Sequence, residues 1–429
     1  MSAKTDTRRA AAELLVAVLE HGVALDDALE RVESFAALEG RDRGFARAIA
    51  TATLRRLGGI DAVTARFLQR PLPETAPEAR ALLRSGAAQL LVLGTPAHAA
   101  VGETVETANA MRGGRPFAKL LNAVLRKVAA EGPALFAAQT PSVDLPAWLF
   151  TRWGAAYGGD VADAIASALK QEPLLDLTVK SDAAGWAEKL QGNIAPTGSV
   201  RLPSSHDSVT ALPGYDDGAW WVQDAAAALP ARMLGDVRGK SVLDLCAAPG
   251  GKTLQLAAAG AHVTALDRSE QRLRLLRESL ARTKLSAEIV CGDAVAWRPA
   301  ELFDAILLDA PCTATGTLRR HPDIAWLRRP DDVRKLAALQ TRMLKSAAEM
   351  LKPGGALVYA VCSLEPEEGP AIVDAVVKAG VLKRGPLARG EIVGADEFIT
   401  ANGDLRTLPS AWPDIGGLDG FYAARLSRA

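Results

Sequence analysis

VLDLCAAPGGKT, residues 242–253, sets a short apolar run ending in an acid ahead of a small-residue loop that closes on Gly-Gly-Lys-Thr. A phosphate-binding P-loop needs Gly, four residues, then Gly-Lys-Ser/Thr, because its leading glycine turns the chain so that backbone N–H groups surround the phosphates. Counting back from Gly251, that glycine falls on Cys246, and Pro249 between them has no N–H to donate. The P-loop reading is therefore weak. The loop still follows a strand-like run and precedes a helix-like one, TLQLAAAGA, which is where doubly wound sheets bind nucleotide-like ligands.

Outward from this loop, strand and helix signals alternate from residue 236 onward. Apolar runs at 241–245, 262–266, 287–291, 303–309 and 355–361 are separated by helical patterns at 252–259, 269–283 and 331–351. Parallel strands with helical crossovers explain this economically. HVTALD ends the second strand at Asp267, where a carboxylate can accept ribose hydroxyls. VCGD ends the third at Asp293, placed toward an adenine amino group. Any one such acid reads equally well as a helix cap. Three of them, Asp244 included, around one small-residue loop favour a nucleoside site. An NAD site would show G-x-G-x-x-G. S-adenosylmethionine, with no pyrophosphate to seat on glycine amides, is preferred.

The chain has 429 residues, enough for two or three domains, and 49% hydrophobic with 23% charged residues is ordinary for a soluble globular protein. No run of 18 uncharged apolar residues suggests a membrane span. Leu14, Leu15, Val18 and Leu19 recur at helical spacing, with Glu13 and Glu20 interrupting, so the N-terminus reads as an amphipathic core helix rather than a signal peptide. Cysteines 246, 291, 312 and 362 show no C-x-x-C spacing and no histidine cluster, which argues for free thiols, no metal and a cytoplasmic location. Zero formal net charge excludes a uniformly basic nucleic-acid binder but not a local patch.

Residues 1–132 are rich in Ala, Leu and Arg, with helical runs near 8–21, 24–34, 41–57, 60–68, 76–94, 98–111 and 116–130. In RDRGFARAIATATLRR, Arg43 and Arg47 fall on one helical face, and Asp42 is the only acid. That face is either a solvated surface or an RNA contact. Residues 133–235 form a mixed segment in which LLDLTVKS reads as a strand; Trp220 and Trp221 either stack bases or sit in a core.

FDAILLDAPCTATGTLRRHPDIAW, residues 303–326, sets Asp309 and Cys312 just past the end of the fourth strand, and Cys362 ends the fifth in GGALVYAVCSLEPEE. Either cysteine alone reads as a small buried hydrophobe. At the ends of neighbouring strands, beside Asp309, the pair suggests chemistry. Methylating oxygen or an exocyclic amine needs no thiol. Carbon 5 of a pyrimidine is a poor nucleophile, and thiolate addition at carbon 6 leaves an enamine whose carbon 5 can take the methyl. A carboxyl group can hold the cytosine ring and stabilise developing charge. A second thiol can assist elimination after methyl transfer. These residues alone leave open which thiol attacks.

The segments RDRGFARAIATATLRRLGGID, LLRSGAAQLLVLGTPAHAAVGETVETA and FAKLLNAVLRKVA resemble, in order, the NusB-like RNA-binding helical domain. LDLCAAPGGKT, LLDAPCTATGTLRRHPDIAW, YAVCSLEPEE and the terminal DGFYAARL resemble the RsmB/Sun (Fmu) family of 16S ribosomal RNA cytosine carbon-5 methyltransferases. The resemblance implies an all-α NusB-like domain (1–132), a small α+β linker domain (133–235) and a Rossmann-like class I S-adenosylmethionine-dependent methyltransferase domain (236–429). It also implies a monomeric enzyme without a membrane partner, with 16S rRNA as substrate and S-adenosylhomocysteine as product.

In that likeness Cys362 is the nucleophile, Cys312 assists product release, and Asp309 positions the cytosine. Cys246, Ala247, Ala248, Pro249, Gly250, Gly251, Lys252, Asp267, Arg272, Asp293 and Asp309 form the expected cofactor set. Arg43, Arg47, Arg319, Arg320 and His321 are the candidate RNA contacts. Two departures stand out: Val361 replaces the usual Thr before the nucleophile, and Leu177-Thr178-Val179-Lys180 replaces an LRVN-like strand. A tRNA-directed relative and a non-catalytic RNA-binding or antitermination factor are the alternatives. The retained cysteines and acids speak against the second, and the helical domain speaks against a small-molecule methyltransferase.

Overall fold

The computed structural model describes residues 3–203 and 208–428, with side chains from residue 6 onward. The chain forms two compact units, one of residues 1–170 with 318–328, the other of residues 171–317 with 329–429.

The first unit is helical. Helices Ala3–Leu19, Leu25–Arg31, Gly40–Arg55, Leu57–Ala65, Pro77–Leu91, Ala97–Ala110 and Ala118–Ala137 follow the hydrophobic periods of the sequence. Leu14, Leu15 and Val18 are buried in one core with Ile49, Leu82, Leu121 and Leu125. Ala79, Ala87 and Ala88 keep that core narrow, because small side chains let neighbouring helices approach closely. Asp144 closes the end of the bundle, accepting from Arg56 Nε at 2.6 Å and from the Gly59 N–H at 2.9 Å.

Residues 318–328 belong to this unit. Asp323 accepts the Leu25 N–H at 3.0 Å, the first residue of helix Leu25–Arg31, and Trp326 Nε1 donates to the Leu54 carbonyl at 2.9 Å.

The second unit begins with a small antiparallel sheet of β1 (Leu175–Val179), β2 (Asn193–Ile194), β3 (Val200–Leu202) and β4 (Trp220–Val222), in the order β2-β3-β1-β4. Trp220 and Trp221 are buried, their indole N–H groups donating to the Pro213 carbonyl and Gln223 Oε1, both at 2.9 Å. They are core residues, and base stacking by them is excluded in this arrangement. Buried Asp176 on β1 is held by a two-point pair with Arg201 on β3, at 2.6 and 2.7 Å.

The larger sheet contains β5 (Ser241–Leu245), β6 (His262–Asp267), β7 (Glu288–Cys291), β8 (Phe303–Asp309), β9 (Leu351–Val361), β10 (Lys383–Arg384), β11 (Leu405–Arg406) and β12 (Tyr422–Ser427). Its order is β10-β12-β9-β8-β5-β6-β7, with β11 also paired to β12. Strands β5 to β9 are parallel, and β12 runs antiparallel between β9 and β10. The Val, Leu and Ile side chains of β5, β6, β8 and β9 are buried, as helix-covered parallel strands require, while Ile289 and Val290 of the edge strand β7 are half-buried. β6 lies on one side of β5 and β8 on the other, so the chain order reverses at β5, where such sheets open a crevice at their carboxyl ends. Among the described residues, no helix is long and apolar enough to cross a membrane.

Candidate active site

The loop after β5 enters its turn with Cys246 at φ +63° and leaves it with Gly250 at φ +117°, just before helix Gly251–Ala258. A Cβ at Gly250 would stand 2.4 Å from Leu276 Cδ1, so only glycine fits both the conformation and the space. Buried Asp267 braces the loop from the end of β6: its carboxylate accepts the Ala248 N–H at 3.2 Å and the Ser269 N–H at 2.9 Å. Arg272 donates to the Ala248 carbonyl and lies 3.5 Å from Asp267. Asp293, by contrast, is exposed and accepts the Val295 N–H at 2.7 Å, the local cap that any strand-end acid can form.

Asp244, the third strand-end acid, lies on β5 and is buried. Its Oδ2 accepts from Thr253 Oγ1 at 2.6 Å, while buried Oδ1 has no partner. Burial pushes its pKa up to about 7; Thr253 and Lys252 oppose the shift, and Asp309 and Asp267 add to it. The Cys246 thiol is also pushed well up, first by burial and then by Asp267, Asp309 and Asp244. These carboxylates therefore share one locality and one sign of charge. That donor set fits a ligand carrying a sulfonium and an ammonium; it would repel a pyrophosphate.

Lys252 is turned inward rather than into solvent. Its Nζ donates to Asp309 Oδ2 at 2.7 Å, and its ammonium lies 5.2 Å from the Phe421 ring centroid. Burial disfavours the ammonium, yet Asp309, and after it the charges of Cys362 and Asp244, raise the pKa overall. The cation is thus retained inside the site.

Cys312 and Cys362, fifty residues apart, meet with their sulfurs 3.4 Å apart, and both are free thiols. The strand register explains this: β8 and β9 pair through Asp309–Ala360, and the Ala310 N–H continues the ladder to the Ala360 carbonyl at 2.9 Å. The Gly316 N–H donates to the Cys362 carbonyl at 3.0 Å, folding the post-β8 loop over the end of β9. Cys312 is buried and its pKa raised well above the ordinary thiol value, first by hydrogen bonding to Cys362 and then by burial. Either thiol can donate to the other across this contact.

The candidate RNA contacts divide. Arg43 and Arg47 are exposed on helix Gly40–Arg55, with the Arg43 guanidinium 4.5 Å from the Phe35 ring centroid. Arg319 corrects the sequence expectation: it is 2% exposed, its carbonyl accepts from Arg55 at 2.9 Å, and its guanidinium is not presented to a nucleic acid. Arg320 and His321 are half-buried, and His321 Nδ1 lies 3.4 Å from Asp26. Among the described residues, no group of three or more His, Cys, Asp or Glu side chains could hold a metal.

A doubly wound sheet with an acid-ringed small-residue loop at its switch point defines a class I S-adenosylmethionine-dependent methyltransferase fold. Residues 5–130 match the NusB family and residues 231–427 the 16S rRNA methyltransferase RsmB/F family. Ribosomal RNA small subunit methyltransferase B of Vibrio cholerae is 37% identical over 443 residues, covering 99% of this chain and 98% of that protein. The Vibrio vulnificus protein of the same name is also 37% identical, over 440 residues, with 98% and 99% covered. The crystal structure of PH0851 superposes on the fold with a TM-score of 0.76 at 22% identity, covering 100% of this chain and 99% of that one. The chain belongs to the ribosomal RNA small subunit methyltransferase B family.

Proposed function

We propose that this chain methylates carbon 5 of a cytosine in 16S ribosomal RNA through a cysteine that adds covalently to carbon 6 of the base. The observation that carries the reading is the Cys312–Cys362 sulfur contact at the ends of β8 and β9. In this reading residues 1–132 bind RNA, 133–235 link, and 236–429 catalyse. Family membership and the full-length likeness to small-subunit methyltransferases support the substrate.

Residues 246–252, Asp267, Arg272 and Asp293 hold S-adenosylmethionine, with Asp244 added as an acceptor for its cationic end. When bound, the cofactor supplies an electrophilic methyl group. Cys362 attacks carbon 6 as the thiolate, which makes carbon 5 nucleophilic. Asp309, held by Lys252, positions the cytosine ring and stabilises developing charge.

Cys312 takes its part afterwards. Its hydrogen bond to Cys362 is the first cause of its raised pKa. Once Cys362 is bonded to carbon 6 that cause is removed, and Cys312 moves toward ionisation. Having released its own proton to solvent, the Cys312 thiolate can accept the carbon 5 proton; the electrons of that C–H bond re-form the carbon 5–carbon 6 double bond, the carbon 6–sulfur bond breaks, and Cys362 leaves as the thiolate. The target base must leave its stack to reach these sulfurs.

Bisulfite sequencing of rRNA and tRNA from a deletion strain tests the substrate. One 16S rRNA cytosine should lose its methyl group and regain it with the wild-type gene but not with Cys362→Ala. Loss confined to tRNA would overturn the rRNA reading.

A further inference from the structure

Glu368 lies in the short turn Pro366–Glu368 beyond β9 and is fully buried. A carboxylate in such a place is costly unless donors surround it. Here they do. Oε1 accepts the Thr313 N–H at 2.9 Å and Gln340 Nε2 at 3.0 Å. Oε2 accepts from Ser363 Oγ at 2.6 Å and from the Thr313 hydroxyl. The two hydroxyls are themselves 3.1 Å apart.

The identity of these partners is informative. Thr313 directly follows Cys312, and Ser363 directly follows Cys362. Gln340 reaches the same turn by a second bond, to the Pro311 carbonyl at 2.9 Å. Tyr359 anchors the other side of the clamp, donating to the Glu368 carbonyl at 2.5 Å. One buried side chain therefore ties together the two turns that carry the thiols, beside the Gly316 N–H to Cys362 carbonyl and Leu364 N–H to Thr315 hydroxyl bonds that also join them.

We propose that Glu368 is a positioning residue: its carboxylate clamps Thr313 to Ser363 and so fixes the separation of Cys312 and Cys362, on which both attack and release depend. The proposal rests on the two-thiol reading above. It is deepened by the electrostatics, since the Glu368 charge joins Cys362 and burial in keeping the Cys312 proton in place. Glutamine can replace much of the clamp. Its amide oxygen can face Thr313 N–H and Gln340, while its NH₂ faces two hydroxyls able to turn round and accept.

The test uses full-length enzyme, an rRNA transcript and Glu368→Ala and Glu368→Gln. Steady-state methylation is measured for both variants, along with S-adenosylmethionine binding by calorimetry. The rate of covalent adduct formation is measured with each change placed in a Cys312→Ala background.

Glu368→Ala should lower kcat and the adduct rate by about a hundredfold, the scale set by a misplacement of about 1 Å, with KM and cofactor Kd moving less than about threefold. Glu368→Gln should recover to within about tenfold of wild type. Wild-type rates in Glu368→Ala, no rescue by Gln, or cofactor binding lost in step with kcat would each overturn the positioning role. If Glu368→Ala does not fold, Ser363→Ala removes one donor, and its adduct rate should fall at least about fivefold; an unchanged rate overturns the proposal. Cys312→Ala alone is the control. No adduct there sinks the two-thiol reading, and a normal adduct there leaves Glu368 to be judged by its own variants.

Discussion

Replacing Asp244 with Asn should stabilise the ligand-free protein at neutral pH while weakening the cofactor site. Asp244 is fully buried, has an unpaired Oδ1, and titrates near 7 rather than 3.8. A carboxyl whose folded pKa is raised binds more protons folded than unfolded between those values, so stability falls as pH rises from about 4 to about 7. The whole gap corresponds to roughly 4 kcal/mol. The Asn oxygen can still accept from Thr253, but its NH₂ replaces the partnerless oxygen and costs about 1–3 kcal/mol if it finds no acceptor. The net change is therefore a gain of about 2 kcal/mol at pH 8 and almost none at pH 5. Urea melts of both proteins across pH 5 to 8 measure it, and calorimetry should show S-adenosylmethionine binding weakened at least about tenfold by the lost charge-assisted bond. Equal pH slopes in the two proteins would rule out a raised pKa at Asp244, and undiminished cofactor affinity would rule out its contact with the cofactor.

Cys246→Ala should keep methylation within about threefold of wild type, because desolvation first, and then the acids around it, hold the thiol protonated, so it takes no part in attack on the base; a hundredfold loss in a standard methyl-incorporation assay would contradict this. Arg43→Ala with Arg47→Ala should weaken RNA binding and reduce the slope of log affinity against log salt by about 2, one for each phosphate contact removed. Filter binding across a potassium chloride series reads that slope, and an unchanged slope would remove both arginines from the interface.

Much of this architecture was legible because it is periodic. The apolar runs at 241–245 and 303–309 coincide with β5 and β8, and the helix patterns at 269–283 and 331–351 with Glu270–Thr283 and Pro330–Met350. β9 starts earlier than its apolar run, at Leu351, because Lys352-Pro353-Gly354-Gly355 reads as a break although the strand continues through it. The segment DGFYAARL carries no strand signal of its own, yet Tyr422–Ser427 forms β12. Its partner β9 lies about sixty residues away, and no local signal encodes that antiparallel insertion.

The site was legible where placement depends on strand ends, as for Asp267 and the two thiols. It failed where burial depends on tertiary packing. Arg319-Arg320-His321 reads as a basic surface, yet Arg319 is enclosed beside Arg55. Glu367 and Glu368 look alike in the run EPEEG, but only Glu368 turns beneath the thiol-bearing turns to meet four donors. An acidic loop in sequence gives no sign of which carboxylate goes inside.

Peptide mapping of a trapped enzyme–RNA complex distinguishes a cytosine bonded to Cys362 from one bonded to Cys312. The Cys312→Ala enzyme is incubated with rRNA and S-adenosylmethionine, denatured, digested with protease and nuclease, and the nucleotide-bearing peptide sequenced by mass spectrometry. The nucleotide should be attached to the sulfur of Cys362, and Cys362→Ala should yield no adduct. An adduct formed by Cys362→Ala and mapped to Cys312 would make Cys312 the nucleophile instead.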